Sequence, residues 1–305
     1  MAVVVTGAAG FIGTHVVEAL SSAGHSVIGV DRRPAPPRRR FRSLTVDLLD
    51  GDPGCEQALR SADAVIHLAG QPGVRDRSPG IELRQSRDNV DATAKVIELV
   101  SPSVPLVVAS SSSVYGGSRS GRASLEDDAI RPRGSYAASK VRAEMLCARR
   151  AEAGGTVAVC RPFTVAGEGQ RPDMALARWI RAVANGEPVR IFGSPDRSRD
   201  ITDVRDVATA LLLLLNQRGA TTVNVGTGSG HTLGSLVTMV GRAVGREPRT
   251  QIVPAPFEDP TDTLADTARL RRLTGLRPHT DVQTLVERQV HASLTTECPA
   301  QQGRA

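Results

Sequence analysis

Lysine and tyrosine are almost missing from this 305-residue chain. Of its 38 basic residues only Lys95 and Lys140 are lysines, and Tyr115 and Tyr136 are its only tyrosines. Aromatic residues of all kinds make up 3%, too few for the stacking platforms that hold single-stranded nucleic acids. No CxxC pair occurs. Cys55, Cys147, Cys160 and Cys298 are scattered, which points to reduced thiols and implies no metal site. Long apolar runs are also missing. The run at 2–5 is cut by Thr6 and Gly7, and 211–215 is far too short to cross a bilayer. Neither a signal peptide nor a membrane span is expected, and the expected location is cytoplasmic.

What is present describes an ordinary globular protein, 40% hydrophobic and 23% charged. Its length suits one large domain or two small ones. A net charge of +6 and a pI near 9.7 invite a nucleic-acid reading. The excess, however, is dispersed arginine. Its densest cluster, Arg32 and Arg33 with Arg38, Arg39 and Arg40, sits among prolines and reads as a solvated loop. No nucleic-acid partner is expected, and a modest positive field also attracts a doubly charged nucleotide.

Short apolar runs at 3–5, 26–30, 44–46, 64–67, 106–109 and 156–160 read as buried strands. Helical patterns lie between most of them, at 12–23, 88–100 and 136–152. This alternation predicts an α/β fold, a Rossmann-type doubly wound parallel sheet. After Cys160 the composition shifts. Residues 167–172 read as a loop, 174–184, 203–216, 232–244 and 281–292 as helices, and 189–192 and 222–225 as strands. The expected division is a dinucleotide-binding domain at 1–162, to which about 200–226 return, and a smaller α+β domain, mainly substrate-binding, at 163–305. A frayed tail is expected from about Thr295.

Gly7, Gly10 and Gly13 form a GxxGxxG turn between the first strand and the first helix. The first glycine permits the tight turn, the second lets backbone approach a pyrophosphate, and the third lets helix pack on strand. Asp31 ends the second strand, where a carboxylate accepts from an adenosine ribose and repels a 2′-phosphate. This favours NAD over NADP, although Arg32 and Arg33 stand where arginine can hold a 2′-phosphate. Asp47 ends the third strand, placed to accept from an adenine amino group. His67, Leu68, Ala69 and Gly70 end the fourth, where small residues suit a close cofactor approach.

Tyr136 and Lys140 form a YxxxK pair, which on a helix places phenol and ammonium on one face. A nearby cation favours the phenolate, which can then act as a general base towards a hydroxyl. Ser110, Ser111, Ser112 and Ser113 follow the fifth strand, at the sheet end where ligands of open α/β proteins bind. Four hydroxyls there can bond a polyhydroxylated ligand without adding charge.

In their order along the chain, these motifs resemble the extended short-chain dehydrogenase/reductase superfamily, the sugar-nucleotide epimerases and dehydratases. The resemblance spans about 1–290 and includes Asn89 and Thr93. It implies bound NAD, a Ser/Thr–Tyr–Lys catalytic set (Ser111, Tyr136, Lys140), a nucleoside-diphosphate sugar and a homodimer. The implied cofactor contacts are Gly7, Ala9, Gly10, Phe11, Ile12, Gly13, Asp31, Arg32, Asp47, Leu48, Leu68, Ala69, Gly70, Tyr136, Lys140 and Phe163. The Asp-Glu pair of the 4,6-dehydratases is replaced by Ser112 and Ser113, and the glutamate of the decarboxylases by Ser113. Both absences point to reversible oxidation without elimination.

Two stretches look like UDP-glucuronate 4-epimerases in particular: Gln71-Pro72-Gly73-Val74-Arg75, and the run from Arg161 through Phe163, Thr164 and Arg171 to Ala175. By this resemblance Ser112, Ser113, Thr164 and Arg171 surround a sugar carboxylate with Arg75 nearby, and Arg199 binds the diphosphate. Arginine and hydroxyl donors are the chemistry a carboxylate needs. Two departures, Pro256-Phe257-Glu258-Asp259 and Ile201, bear on the nucleotide base and sugar and leave the redox residues in place. The expected reaction is NAD-dependent 4-epimerisation of a UDP-sugar, with UDP-glucuronate to UDP-galacturonate foremost. The alternatives are a UDP-glucose/galactose-type 4-epimerase, a 4-ketoreductase of another nucleotide sugar, and a non-catalytic NAD-binding regulator.

Overall fold

The computed structural model describes residues 1–35, 41–118 and 121–296. The arginine cluster at 38–40, Cys298 and the expected tail beyond residue 296 lie outside the described residues. In chain order the strands are β1 (Ala2–Thr6), β2 (Ser26–Asp31), β3 (Arg42–Thr45), β4 (Ala64–His67), β5 (Leu106–Ala109), β6 (Val157–Pro162), β7 (Thr164–Ala166), β8 (Val189–Phe192), β9 (Ser198–Asp203), β10 (Ala220–Val225), β11 (Gly230–Thr232), β12 (Thr250–Val253) and β13 (Asp262–Thr263). The helices are α1 (Phe11–Ser22), α2 (Pro53–Arg60), α3 (Ile81–Ser86), α4 (Ala92–Leu99), α5 (Gly134–Glu152), α6 (Ala175–Asn185), α7 (Val204–Leu214), α8 (Leu233–Val244), α9 (Ala268–Thr274) and α10 (Val282–Thr296).

Strands as apolar as β1, β4 and β5 must be covered on both faces. They lie inside a parallel sheet of order β10-β6-β5-β4-β1-β2-β3. On one face α1 and α7 bury Val16, Leu20, Leu211 and Leu214 against Val3, Val5 and Val223. On the other, α2, α4 and α5 bury Leu59, Val96, Leu99 and Cys147 against Val4, Val65 and Val108. A third cluster joins Trp179 and Ile180 of α6, Leu236 and Val240 of α8 and Leu285 of α10 around Ile201. Small sheets formed by β7, β9, β11 and β13 and by β8 and β12 accompany it. Chain order reverses at β1, which pairs with both β2 and β4. Such a switch point opens a crevice at the carboxyl ends of the strands.

Several elements differ from the sequence-based expectation. The helix expected at 88–100 begins at Ile81, and a π-helical turn, Arg87–Asp91, interrupts it before α4. The unforeseen α2 has a local cause. Asp52 caps it by accepting from the Cys55 N–H at 2.8 Å, and Pro53 supplies its first turn. The unforeseen β9 forms because Arg199 and Asp200 find buried partners, Asp259 for the first and the 227–228 turn with Ala265 for the second, that make charged residues tolerable in a central strand. Among the described residues, no helix is long and apolar enough to cross a membrane.

His67 at the end of β4 is buried between two hydroxyls, Thr6 Oγ1 at 2.7 Å from Nδ1 and Thr93 Oγ1 at 3.1 Å from Nε2. Burial, with the Lys140 charge, pushes its pKa down to about 3. The imidazole is therefore neutral in the fold but gains a proton in the unfolded chain below about pH 6.5. Its contribution is complete above that pH and drains away as the pH falls towards 3. At pH 5 the expected loss is about 2 kcal/mol from this group. Denaturant melts at pH 7 and pH 5 should show a steeper loss for the parent protein than for His67→Gln. Equal losses would contradict the buried neutral imidazole.

Candidate active site

The crevice is a cleft of about 1700 Å³, and every residue singled out as a cofactor, catalytic or substrate group lines it. One wall is the carboxyl edge of the parallel sheet. The other is built from α6, β9 and the 258–260 loop. A groove of about 560 Å³ between α5 and β10 shares none of these residues.

The glycine turn is dictated by contact distances. Gly7 adopts φ +72°, and a Cβ there would sit 2.7 Å from the Ala69 nitrogen. A Cβ on Gly13 would stand 2.1 Å from the Gly7 carbonyl oxygen, so helix and turn meet only through hydrogen atoms. Gly10 caps α1 without a side-chain bond, and no acidic residue occupies the first turn. The free N–H groups and the positive end of the helix therefore suit an anion. Asp31 accepts from the Ala9 N–H at 3.0 Å and from the Arg33 N–H at 2.9 Å. Asp47 accepts from the Leu49 N–H at 3.0 Å and from Arg87 at 3.0 Å. Burial opposes its charge, but these donors outweigh burial and hold its carboxyl below the usual range. Glycines that admit no side chain, an uncapped helix and a ribose-height carboxylate fit a dinucleotide.

Tyr136 and Lys140 stand one turn apart on α5, but they do not pair. Lys140 Nζ donates to the Ala109 carbonyl at 2.8 Å. Burial lowers the lysine pKa to about 8, against an upward pull from Cys147 and Glu144. Burial also raises the Tyr136 phenol, opposed by a hydrogen bond with Ser111 and by the charge of Arg171. The expected tuning of the phenol by Lys140 is therefore corrected: Ser111 and Arg171 carry the downward pull. The ammonium is tied to the β5 carbonyl because a buried charge demands a hydrogen-bond partner.

The serine run also divides. Ser110 lines the cleft but commits its hydroxyl to Glu144, which is held by Arg161 at 2.6 Å and 2.9 Å. Ser111 accepts from the Ser113 N–H at 3.1 Å, which fixes the turn. The Ser113 hydroxyl is buried without a partner. Tyr115 is structural: its hydroxyl donates to Asn224 at 2.7 Å and accepts from Arg161 at 2.8 Å, and its ring lies 6.3 Å from that of Phe163.

At the far end, Arg171 forms a two-pronged pair with Asp173, at 2.9 Å and 2.7 Å. Thr164 opens β7 and also lines the cleft. Arg75, expected near a sugar carboxylate, instead joins Arg199 on Asp259, at 3.5 Å and 3.1 Å, and stacks over Phe192. Asp259 is buried, and one of its oxygens has no hydrogen-bond donor. Sequence reasoning missed Asp259 and the Glu144–Arg161 pair. The latter carried a signal, since Glu144 lies four residues after Lys140 on the same helix face. Asn89 is a further anchor. It accepts from the Gln71 N–H at 2.8 Å and donates to Ser139 at 2.8 Å, and a Cβ on Gly70 would strike it at 2.5 Å.

Among known proteins, a Bacillus subtilis (strain 168) protein named as an uncharacterized UDP-glucose epimerase, YtcB, is 31% identical over 93% of this chain and 95% of its own. The solved structure of MoeE5 in complex with UDP-glucuronic acid and NAD is 37% identical, with a TM-score of 0.89 over 97% of this chain and 100% of that one. The Bacillus cereus UDP-glucuronic acid 4-epimerase, also solved with UDP-glucuronic acid and NAD, is 26% identical with a TM-score of 0.89 over the same shares. Residues 3–226, which hold the glycine turn, Asp31, the serine run, Tyr136 and Lys140, match the NAD dependent epimerase/dehydratase family, and the chain belongs to it.

Proposed function

We propose that the chain interconverts a UDP-hexuronate and its C4 epimer, UDP-glucuronate and UDP-galacturonate, with NAD⁺. The observation that carries this reading is the gathering of Ser111, Tyr136, Thr164, Arg171 and the unpartnered Ser113 hydroxyl in the cleft that begins at the glycine turn. Tyr136, ionised to the phenolate in the loaded cleft, takes the proton of the sugar 4-hydroxyl while Ser111 bonds the phenol oxygen. NAD⁺, which the glycine turn and Asp31 would hold, would supply the reversible hydride acceptor for C4, and the sugar must turn over in the cleft for its other face to be reduced. Lys140, fixed on the Ala109 carbonyl beside Gly70, orients the nicotinamide ribose. Arg171 exchanges Asp173 for the sugar carboxylate, with Ser112, Ser113 and Thr164 as further donors. Arg75 and Arg199 exchange Asp259 for the diphosphate. The complexes of MoeE5 and of the Bacillus cereus enzyme with UDP-glucuronic acid and NAD support this substrate class.

A neutral UDP-hexose is the second reading, favoured by the Asp173 carboxylate that already satisfies Arg171. Product NMR on UDP-glucuronate and UDP-glucose separates the two. The uronate should be epimerised without added reductant, and Arg171→Gln should cost it about 10- to 100-fold in kcat/KM, the worth of a charge-assisted pair. Conversion of UDP-glucose alone would overturn the uronate assignment.

The raised phenol has its own test. With two tyrosines in the chain, Tyr115 pushed up to about 12 by burial and Tyr136 also raised, cofactor-free protein should show no phenolate absorbance near neutral pH. A phenolate near neutral pH that disappears in Tyr136→Phe would mean that the resting protein already holds an ionised base.

A further inference from the structure

Among the described residues, the adenosine end of the cleft holds three carboxylates, Asp31, Asp47 and Asp88, and three guanidinium groups, Arg32, Arg33 and Arg87. Arg33 bonds Asp31 through both its backbone N–H, at 2.9 Å, and its Nε, at 3.3 Å. Arg32 turns to the other side. Its guanidinium donates to Asp88 at 2.6 Å and stands 3.6 Å from Asp47. Arg87 donates to both of those carboxylates, at 3.0 Å and 2.8 Å. Among the described residues these charges pair off three against three.

Asp88 makes this arrangement firm. Its side chain is 7% exposed, whereas that of Arg32 is 52% exposed, so the carboxylate is the fixed partner and the guanidinium the captured one. A buried carboxylate requires a cation, and Arg87 alone would leave Asp47 and Asp88 sharing one charge. Asp88 sits in the π-helical turn Arg87–Asp91, an irregularity that recurs at functional sites.

A 2′-phosphate on the adenosine ribose is a dianion. It needs an arginine whose charge is not already spent and a ribose site without a carboxylate. Asp31 denies the second requirement. We infer that Asp88 denies the first: it is a cofactor-specificity residue that withholds Arg32 and so keeps a cleft with arginines at 32 and 33 selective for the unphosphorylated dinucleotide. This rests on the reading of the glycine turn and Asp31 as the dinucleotide site.

The test is calorimetric binding of NAD⁺ and of NADP⁺ to cofactor-free protein. The parent should bind NAD⁺ in clear preference. Asp88→Asn should release Arg32 and raise NADP⁺ affinity relative to NAD⁺ by about tenfold, the worth of one charge-assisted contact. Adding Arg32→Gln to Asp88→Asn should erase that gain. An unchanged ratio in Asp88→Asn, with NAD⁺ still bound, overturns the role of Asp88 alone. Binding of neither dinucleotide by the parent overturns the underlying site as well. Arg32→Gln in the parent keeps the question decidable if Asp88→Asn does not fold. A captured Arg32 predicts an unchanged NAD⁺ to NADP⁺ ratio, and a selective tenfold loss of NADP⁺ affinity would show that Arg32 already serves the 2′-phosphate position and would overturn the inference.

Discussion

The contact on which the rest of the molecule depends is the one between Gly13 and the Gly7 carbonyl. A single methyl group on Gly13 would stand 2.1 Å from that oxygen, well inside any allowed contact. Because both positions are glycine, α1 seats directly on the turn after β1 and aims its uncapped N-terminus into the cleft. The turn in turn rests against Leu68 and Ala69 after β4, where a Cβ on Gly7 has no room. The switch point of the sheet, the phosphate-facing helix end and the small-residue loop after β4 are therefore one packing solution. A parallel sheet with both faces covered leaves only its carboxyl edge for chemistry, and the catalytic groups gather there.

A second constraint is charge. The arginines read as ligand-binding groups are each matched to a carboxylate: Arg75 and Arg199 to Asp259, Arg171 to Asp173, Arg32 to Asp88. A sugar nucleotide carries its own negative charges, so binding becomes an exchange of partners rather than a capture by free cations. Exchange favours ligands whose anions reach every displaced arginine together, and it is costly for those that reach one. Substrate and cofactor discrimination thus share one physical basis, the carboxylates that occupy the arginines beforehand.

Much of this is legible in the amino-acid sequence. The glycine spacing, Asp31 and the YxxxK pair carry local rules, and apolar runs of three to five residues show a buried sheet. What stayed illegible depends on contacts distant in sequence. Nothing near Lys140 shows that its ammonium goes to the Ala109 carbonyl rather than to Tyr136. Nothing in four consecutive serines shows that the Ser110 hydroxyl is spent on Glu144 while that of Ser113 is left without a partner. Arg75 reaches Asp259 across 184 positions, and no periodicity encodes that meeting. The helix before Asp88 was missed because Gly80 and its flanking polar residues hide the amphipathic pattern that starts at Ile81.

The central claim is that the sugar is oxidised at C4 and reduced again at the same carbon within one closed cleft. The most direct measurement follows UDP-glucuronate carrying deuterium at C4 through conversion in ordinary water. The account predicts that the epimerised product keeps the deuterium at C4, because the hydride leaves and returns without meeting solvent. Loss of the label to water, with solvent hydrogen at C4 of the product, would contradict it.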